Sequence, residues 1–169
     1  MNKSKQPYKN NEPFSPGRDS ETFKNEVLRH IQEKNDSGCS VIDVGCGNGR
    51  LINVLEKAFP NTIGIDPMKS QYDLVNQNII ETDIEDYNGP KKDILVAVSV
   101  GCVYEDYNMV EKLLEQIERV TTHNATIVIG GDPGNTTRVI TSLDKVYERT
   151  NTIWTSSEFV YAIYQKENK

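Results

Sequence analysis

Apolar positions along this chain recur with two periods that trade places, that of a strand and that of a helix. Phe23, Val27, Leu28 and Ile31 fall on one helical face, with Asp19 or Ser20 as an N-cap and turn residues 35–38 as the stop. CSVIDV (39–44) is then a short, nearly continuous apolar run, the mark of a strand covered on both faces. Residues 50–59 return to helical spacing through Leu51, Ile52, Leu55, Ala58 and Phe59, and Pro60 stops them. NTIGID (61–66) predicts a second strand, residues 70–76 a short helix and residues 77–81 a third strand. KKDILVAVSV (91–100) is the strongest strand pattern in the chain.

Val110, Leu113, Leu114, Ile117 and Val120 align on a helix predicted over 107–120. ATIVIG (125–130) predicts a fifth strand, and Val139, Ile140, Leu143, Val146 and Tyr147 a helix over 135–149. The last apolar stretches, TIWT and FVYAIY, are separated by a short turn and predict an antiparallel hairpin. Strands alternating with helices imply an α/β fold: a doubly wound, mostly parallel sheet with helices on both faces. Residues 1–18 lack such a period and read as a flexible arm carrying Tyr8 and Phe14, ahead of one domain over 19–169.

A chain of 169 residues buries roughly 70% of its unfolded surface, so it can hold a core without disulfides or structural metal. Its 19 basic and 25 acidic side chains leave a net charge of -6, which argues against nucleic acid as a partner. Lys3, Lys5 and Lys9 form only a small basic patch. Cys39, Cys46 and Cys102 match neither a disulfide framework nor a zinc site, so no metal is expected. No apolar stretch nears the ~20 residues of a membrane span, and the N-terminus has no secretory apolar region. Together these point to a reduced, cytoplasmic setting.

The candidate chemistry lies in VIDVGCGNGR (41–50). Gly45, Gly47 and Gly49 follow a predicted strand and open a predicted helix, the context of a nucleotide-binding turn. A dinucleotide fingerprint needs Gly or Ala at the position of Arg50, and Asp43 would face its pyrophosphate. S-adenosylmethionine suits the pattern better, because it carries no phosphate and its ammonium and sulfonium are cationic. The glycines let backbone approach the nucleoside.

On these residues the chain resembles the class I S-adenosylmethionine-dependent methyltransferases, whose first motif is acid-x-Gly-x-Gly-x-Gly. The resemblance spans about residues 20 to 166 and implies the sheet order 3-2-1-4-5-7-6 with an antiparallel last pair. It implies that Asp43, Gly45, Cys46, Gly47, Asn48 and Gly49 hold the donor. It places Asp66 on the ribose hydroxyls, Pro67 and Met68 beside the adenine, Asp83 on the adenine amino group with Ile84 against the ring, and Ser99 where the two pockets meet. Plainer readings stand beside these. Asp43 can be a strand-end acid, Asp66 an N-cap and Asp83 one solvated acid among Glu81, Glu85 and Asp86. Cys46 and Cys102 can serve as small packing residues, and His30, His123 and Trp154 as structural ones.

Methyl transfer to a sulfonium-activated carbon needs in-line alignment and a dry pocket more than a general base. Catalytic residues are therefore hard to read; Tyr104, Glu105, Asp106 and Asp132 are candidates for contact with the acceptor. Ser99-Val100-Gly101-Cys102 lacks the Asn-Pro-Pro-aromatic signature of amino methyltransferases acting on adenine or glutamine, which favours a small-molecule acceptor. The small size leaves room for a second copy or a partner subunit to complete the pocket. Two other readings are a non-catalytic S-adenosylmethionine-binding regulatory subunit and a nicotinamide-dependent enzyme on the same fold.

Overall fold

The apolar run before the glycines forms β1 (Val41–Val44), hydrogen-bonded in parallel to β2 (Thr62–Ile65) on one side and β4 (Lys92–Val98) on the other. Ile42 lies opposite both Ile63 and Leu95. All four β1 residues are buried, which is why a central strand reads as continuously apolar, with Asp43 as the exception. A computed structural model describes residues 22–98, 107–155 and 159–166 of the chain.

β3 (Ile79–Ile80) pairs with β2, and β5 (Thr121–Gly131) pairs with β4, both in parallel. β7 (Val160–Gln165) runs antiparallel to β5 and to β6 (Glu148–Trp154). The seven strands stand in the order β3-β2-β1-β4-β5-β7-β6, as the resemblance implied. The helices are α1, a π-helical turn Phe23–Val27 that continues as Leu28–Lys34, then α2 (Arg50–Leu55), α3 (Tyr107–Val120) and α4 (Pro133–Leu143).

Side chains alternate across the sheet and build two cores. Ile42, Leu95, Ile127 and Tyr164 join the α3 and α4 face through Val110, Leu113, Ile117, Val139 and Leu143. Val41, Val96, Val128 and Tyr161 join the α1 and α2 face through Phe23, Val27, Ile31, Leu51 and Leu55. Two residues on from Val41, Asp43 shares the second face. Among the described residues no helix is long and apolar enough to cross a membrane.

Four expectations are corrected. The helix over 70–76 is absent; one 3-10 turn, Lys69–Gln71, is followed by irregular chain. There long-range bonds set the path of the chain: Val75 N–H donates to the Asn48 carbonyl at 2.9 Å, and the Asn76 side chain donates from Nδ2 to Asn53 Oδ1 and Glu56 Oε2. The third strand shrinks to two residues. The helix over 135–149 starts at Pro133, where proline needs no donor, and ends at Leu143. Its remainder turns into β6, whose Glu148 and Arg149 pair with Gln165 and Tyr164, so Val146 is exposed and lies outside the core. The helix from Arg50 likewise closes at Leu55, and a turn carries Phe59 back into the core. The arm over 1–18 and the caps Asp19 and Ser20 lie outside the described residues.

Candidate donor site

The turn after β1 is folded against the end of β2 by its own backbone. Gly45 and Cys46 both donate to the Ile65 carbonyl, at 2.9 and 3.2 Å, and Gly47 N–H donates to Asp66 Oδ2 at 2.9 Å. Gly47 has φ +56° and Gly49 φ +91°, a region that only glycine occupies without strain. The two positions differ in what surrounds them. A Cβ on Gly49 would stand 2.7 Å from Asn76 Cβ, so that glycine permits packing. A Cβ on Gly47 would meet nothing within 4 Å. Gly47 therefore presents bare backbone to open space at the carboxyl end of the sheet, where ligands sit in doubly wound folds.

Two acids flank this surface, Asp43 at 2% exposure and Asp66 at 5%. Asp66 is anchored: besides Gly47, its Oδ1 accepts Met68 N–H at 2.8 Å. A carboxylate has about four acceptor sites, so two remain for a diol. Asp43 is the anomaly. Its Oδ2 is buried and has no hydrogen-bond partner among the described residues. Burial, reinforced by the charge of Asp66, raises its pKa well above the usual carboxylate range. Such an acid either keeps a proton or awaits a cation.

Cys46 is half-buried, and burial, with the charges of Asp43 and Asp66, pushes its thiol pKa up. A thiol held protonated is a poor nucleophile, which agrees with the packing reading. Its neighbour is Gly64, where a Cβ would lie 2.5 Å from Cys46 Sγ and closer still to Ile52 Cδ1. Gly64 thus lets the glycine turn and α2 lie against β2. Sequence reading passed over it, although an isolated glycine inside a strand pattern signals a close approach.

Asp43, Gly45, Cys46, Gly47, Asn48, Gly49, Asp66 and Met68 converge here, with Pro67 exposed at the rim. Asp83 is exposed and follows β3; its Oδ1 accepts Asp86 N–H at 3.0 Å, closing a turn, while Ile84 packs partly on the core. Asp132 Oδ1 accepts Gly134 N–H at 2.9 Å, and its carbonyl accepts Thr136 N–H, the bonds of a residue that starts α4. Ser99, Cys102, Tyr104, Glu105 and Asp106 lie outside the described residues, as do Tyr8 and Phe14. His30 stands beside Thr150 and Asn151, far along the chain from the glycine turn. His123 is exposed on β5, and Trp154, expected to pack, is exposed at the end of edge strand β6. No group of His, Cys, Asp or Glu among the described residues could hold a metal ion.

A family model described as a methyltransferase domain matches residues 18–148, most of the chain and all of the turn and both acids. The chain belongs to this methyltransferase family. No curated protein matches it. Among solved structures, the N-methyltransferase NodS from Bradyrhizobium japonicum superposes with a TM-score of 0.69 at 16% identity, over 88% of this chain and 97% of that one. A TehB-like S-adenosylmethionine-dependent methyltransferase from Corynebacterium glutamicum gives 0.64 at 20% identity, over 83% and 86%. A methyltransferase from Clostridium acetobutylicum gives 0.69 at 11% identity, over 89% and 93%. At these identities the superpositions establish that the methyltransferase shares their fold.

Proposed function

We propose that this methyltransferase binds S-adenosylmethionine across the glycine turn and the ends of β1 and β2, and passes its methyl group to a small-molecule acceptor. The observation that carries the reading is the orphaned, buried Asp43 oxygen at the strand that leads into the glycine turn, where Gly47 faces open space. A cationic ligand with no phosphate answers both features. Asp43 would receive the ammonium end, directly or through water. Asp66, fixed by Gly47 and Met68, would accept both ribose hydroxyls on its two remaining sites. Asp83 and Ile84 would meet the adenine.

When bound, the donor supplies a methyl carbon already activated by its sulfonium leaving group. The protein's part is then orientation and exclusion of water, and alignment of this kind is worth roughly 7 to 11 kcal/mol. The acidic balance of the chain favours a small acceptor over nucleic acid. Among proteins of this fold, one is a magnesium protoporphyrin IX methyltransferase and another a plantazolicin methyltransferase, while a third methylates ribosomal protein L11. A small acceptor is thus compatible with the fold, and charge favours it here.

Incubation with methyl-labelled S-adenosylmethionine and a panel of small oxygen, nitrogen and sulfur nucleophiles tests the reading. Label on a small molecule is expected. Label passing only to protein or nucleic acid would overturn the acceptor class, and failure to bind the donor would overturn the whole reading.

A further inference from the structure

From α3, Arg119 reaches the turn after β3. Arg119 donates from Nη1 to the Tyr87 carbonyl at 2.5 Å and from Nη2 to the carbonyls of Ile84 and Glu85, the latter at 3.2 Å. Its Nε donates to Gln116 Oε1 at 2.6 Å on the same helix, which sets the plane of the guanidinium. These three carbonyls belong to chain between β3 and β4, where no strand ladder supplies donors, and backbone carbonyls need partners. The rigid fork of a guanidinium serves several at once; an ammonium is a single compact donor. Lys112 adds an ion pair to Glu85 at 3.8 Å, exposed and therefore minor.

The held segment also carries Asp83 and Ile84, read above as the adenine contacts. Ile84 carries one of the three carbonyls that accept from Arg119, and Asp83 precedes it. Asp83 Oδ1 closes the same turn on Asp86 N–H. Just beyond, Tyr87 is buried and its hydroxyl donates to the Pro90 carbonyl at 3.2 Å, so the far end of the turn is pinned as well. The chain that follows Asp83 is thus tied to α3.

We propose that Arg119 is a positioning residue for recognition of the donor's base: by holding the carbonyls of Ile84, Glu85 and Tyr87 it fixes where Asp83 and Ile84 stand. The proposal rests on the reading of Asp83 as the contact to the adenine amino group. It differs from a purely stabilising role because it predicts a change in which base is preferred.

The test compares affinities of the full chain for S-adenosylhomocysteine and S-inosylhomocysteine, whose base carries an oxygen in place of the amino group. The variants are Arg119→Met, Arg119→Lys and Asp83→Ala. The unaltered chain should prefer the adenosyl compound. Asp83→Ala should lose the preference, and Arg119→Met should reduce it by about fivefold to tenfold, the scale of one misplaced hydrogen bond, with Arg119→Lys between. Hydrogen exchange at the Asp86 amide should quicken in the same order without ligand. A preference kept by Arg119→Met but lost in Asp83→Ala overturns the role of Arg119. A preference kept by Asp83→Ala overturns the base contact and the proposal with it. Should Arg119→Met fail to fold, Arg119→Lys decides: unchanged preference and unchanged Asp86 exchange overturn the proposal.

Discussion

Asp43, within β1, and Asp66, directly after the neighbouring parallel strand β2, are both buried, and the charge of Asp66 adds to burial in raising the pKa of Asp43. Two like charges this poorly solvated oppose each other. A proton on Asp43 relieves the opposition in the empty protein, and a cationic ligand would relieve it in the bound one. Proton and ligand therefore compete for the same carboxylate.

Donor affinity should accordingly rise as pH rises and Asp43 gives up its proton, below the range of about 7.7 to 8.0 where the α-amino group of the ligand loses its charge. Asp43→Asn should bind more weakly and with a flatter profile. Calorimetric titrations from acid to neutral pH check both.

Stability should respond in the opposite sense. Asp43 has a folded pKa above its unfolded value, so folding binds a proton as pH rises past the unfolded pKa of about 3.9, and stability falls across that window. Asp43→Asn removes this loss. Without ligand it should melt above the unaltered chain near neutral pH, with the gap closing toward about pH 4. Thermal melts over that range measure it.

Asp93 supplies the acid limb. Burial works against its charge, but the Ser40 amide and hydroxyl, the Thr122 hydroxyl and Lys92 outweigh burial and lower its pKa. A depressed carboxylate contributes stability present above its unfolded pKa and lost as pH falls through the folded one. Asp93→Asn should therefore lose stability near neutral pH and show a shallower decline below about pH 4, read from chemical denaturation at each pH.

Asp66→Ala should weaken donor binding by roughly 1.5 to 3 kcal/mol, as for lost hydrogen bonds to a charged group. It also removes the acceptor of the Gly47 and Met68 amides. Unchanged affinity by calorimetry would mean that Asp66 serves only the turn.

Gly47→Ala and Gly64→Ala should separate binding from packing. At Gly47 the added methyl meets open space but a strained φ, costing about 1 to 2 kcal/mol of stability, and it should obstruct the donor. At Gly64 it collides with Cys46 and Ile52, an overpacking worth about 1 to 3 kcal/mol, with binding impaired only through that shift. Denaturation and titration of both variants give the comparison.

The central strands and α3 were legible in the sequence because burial on two faces, or on one helical stripe, writes itself into local spacing. Residues 107–120 carry such a stripe, and α3 occupies those residues. The segment after Asp66 was misread because long-range bonds decide its shape: Asn76 to Asn53 and Glu56, and Val75 to the Asn48 carbonyl. The glycine turn and its two acids could be read because backbone approach and charge each demand particular residue types. Arg119 could not, since nothing local to the helix end IERV (117–120) tells which carbonyls a long cation will reach.

The most direct measurement is calorimetric titration of the chain with S-adenosylmethionine from acid to neutral pH in two buffers of different ionisation enthalpy, with NAD as the comparison ligand. Saturable binding of S-adenosylmethionine with release of a proton, and no proton release in Asp43→Asn, is the expected result. Saturable binding of NAD with no heat from S-adenosylmethionine would contradict it.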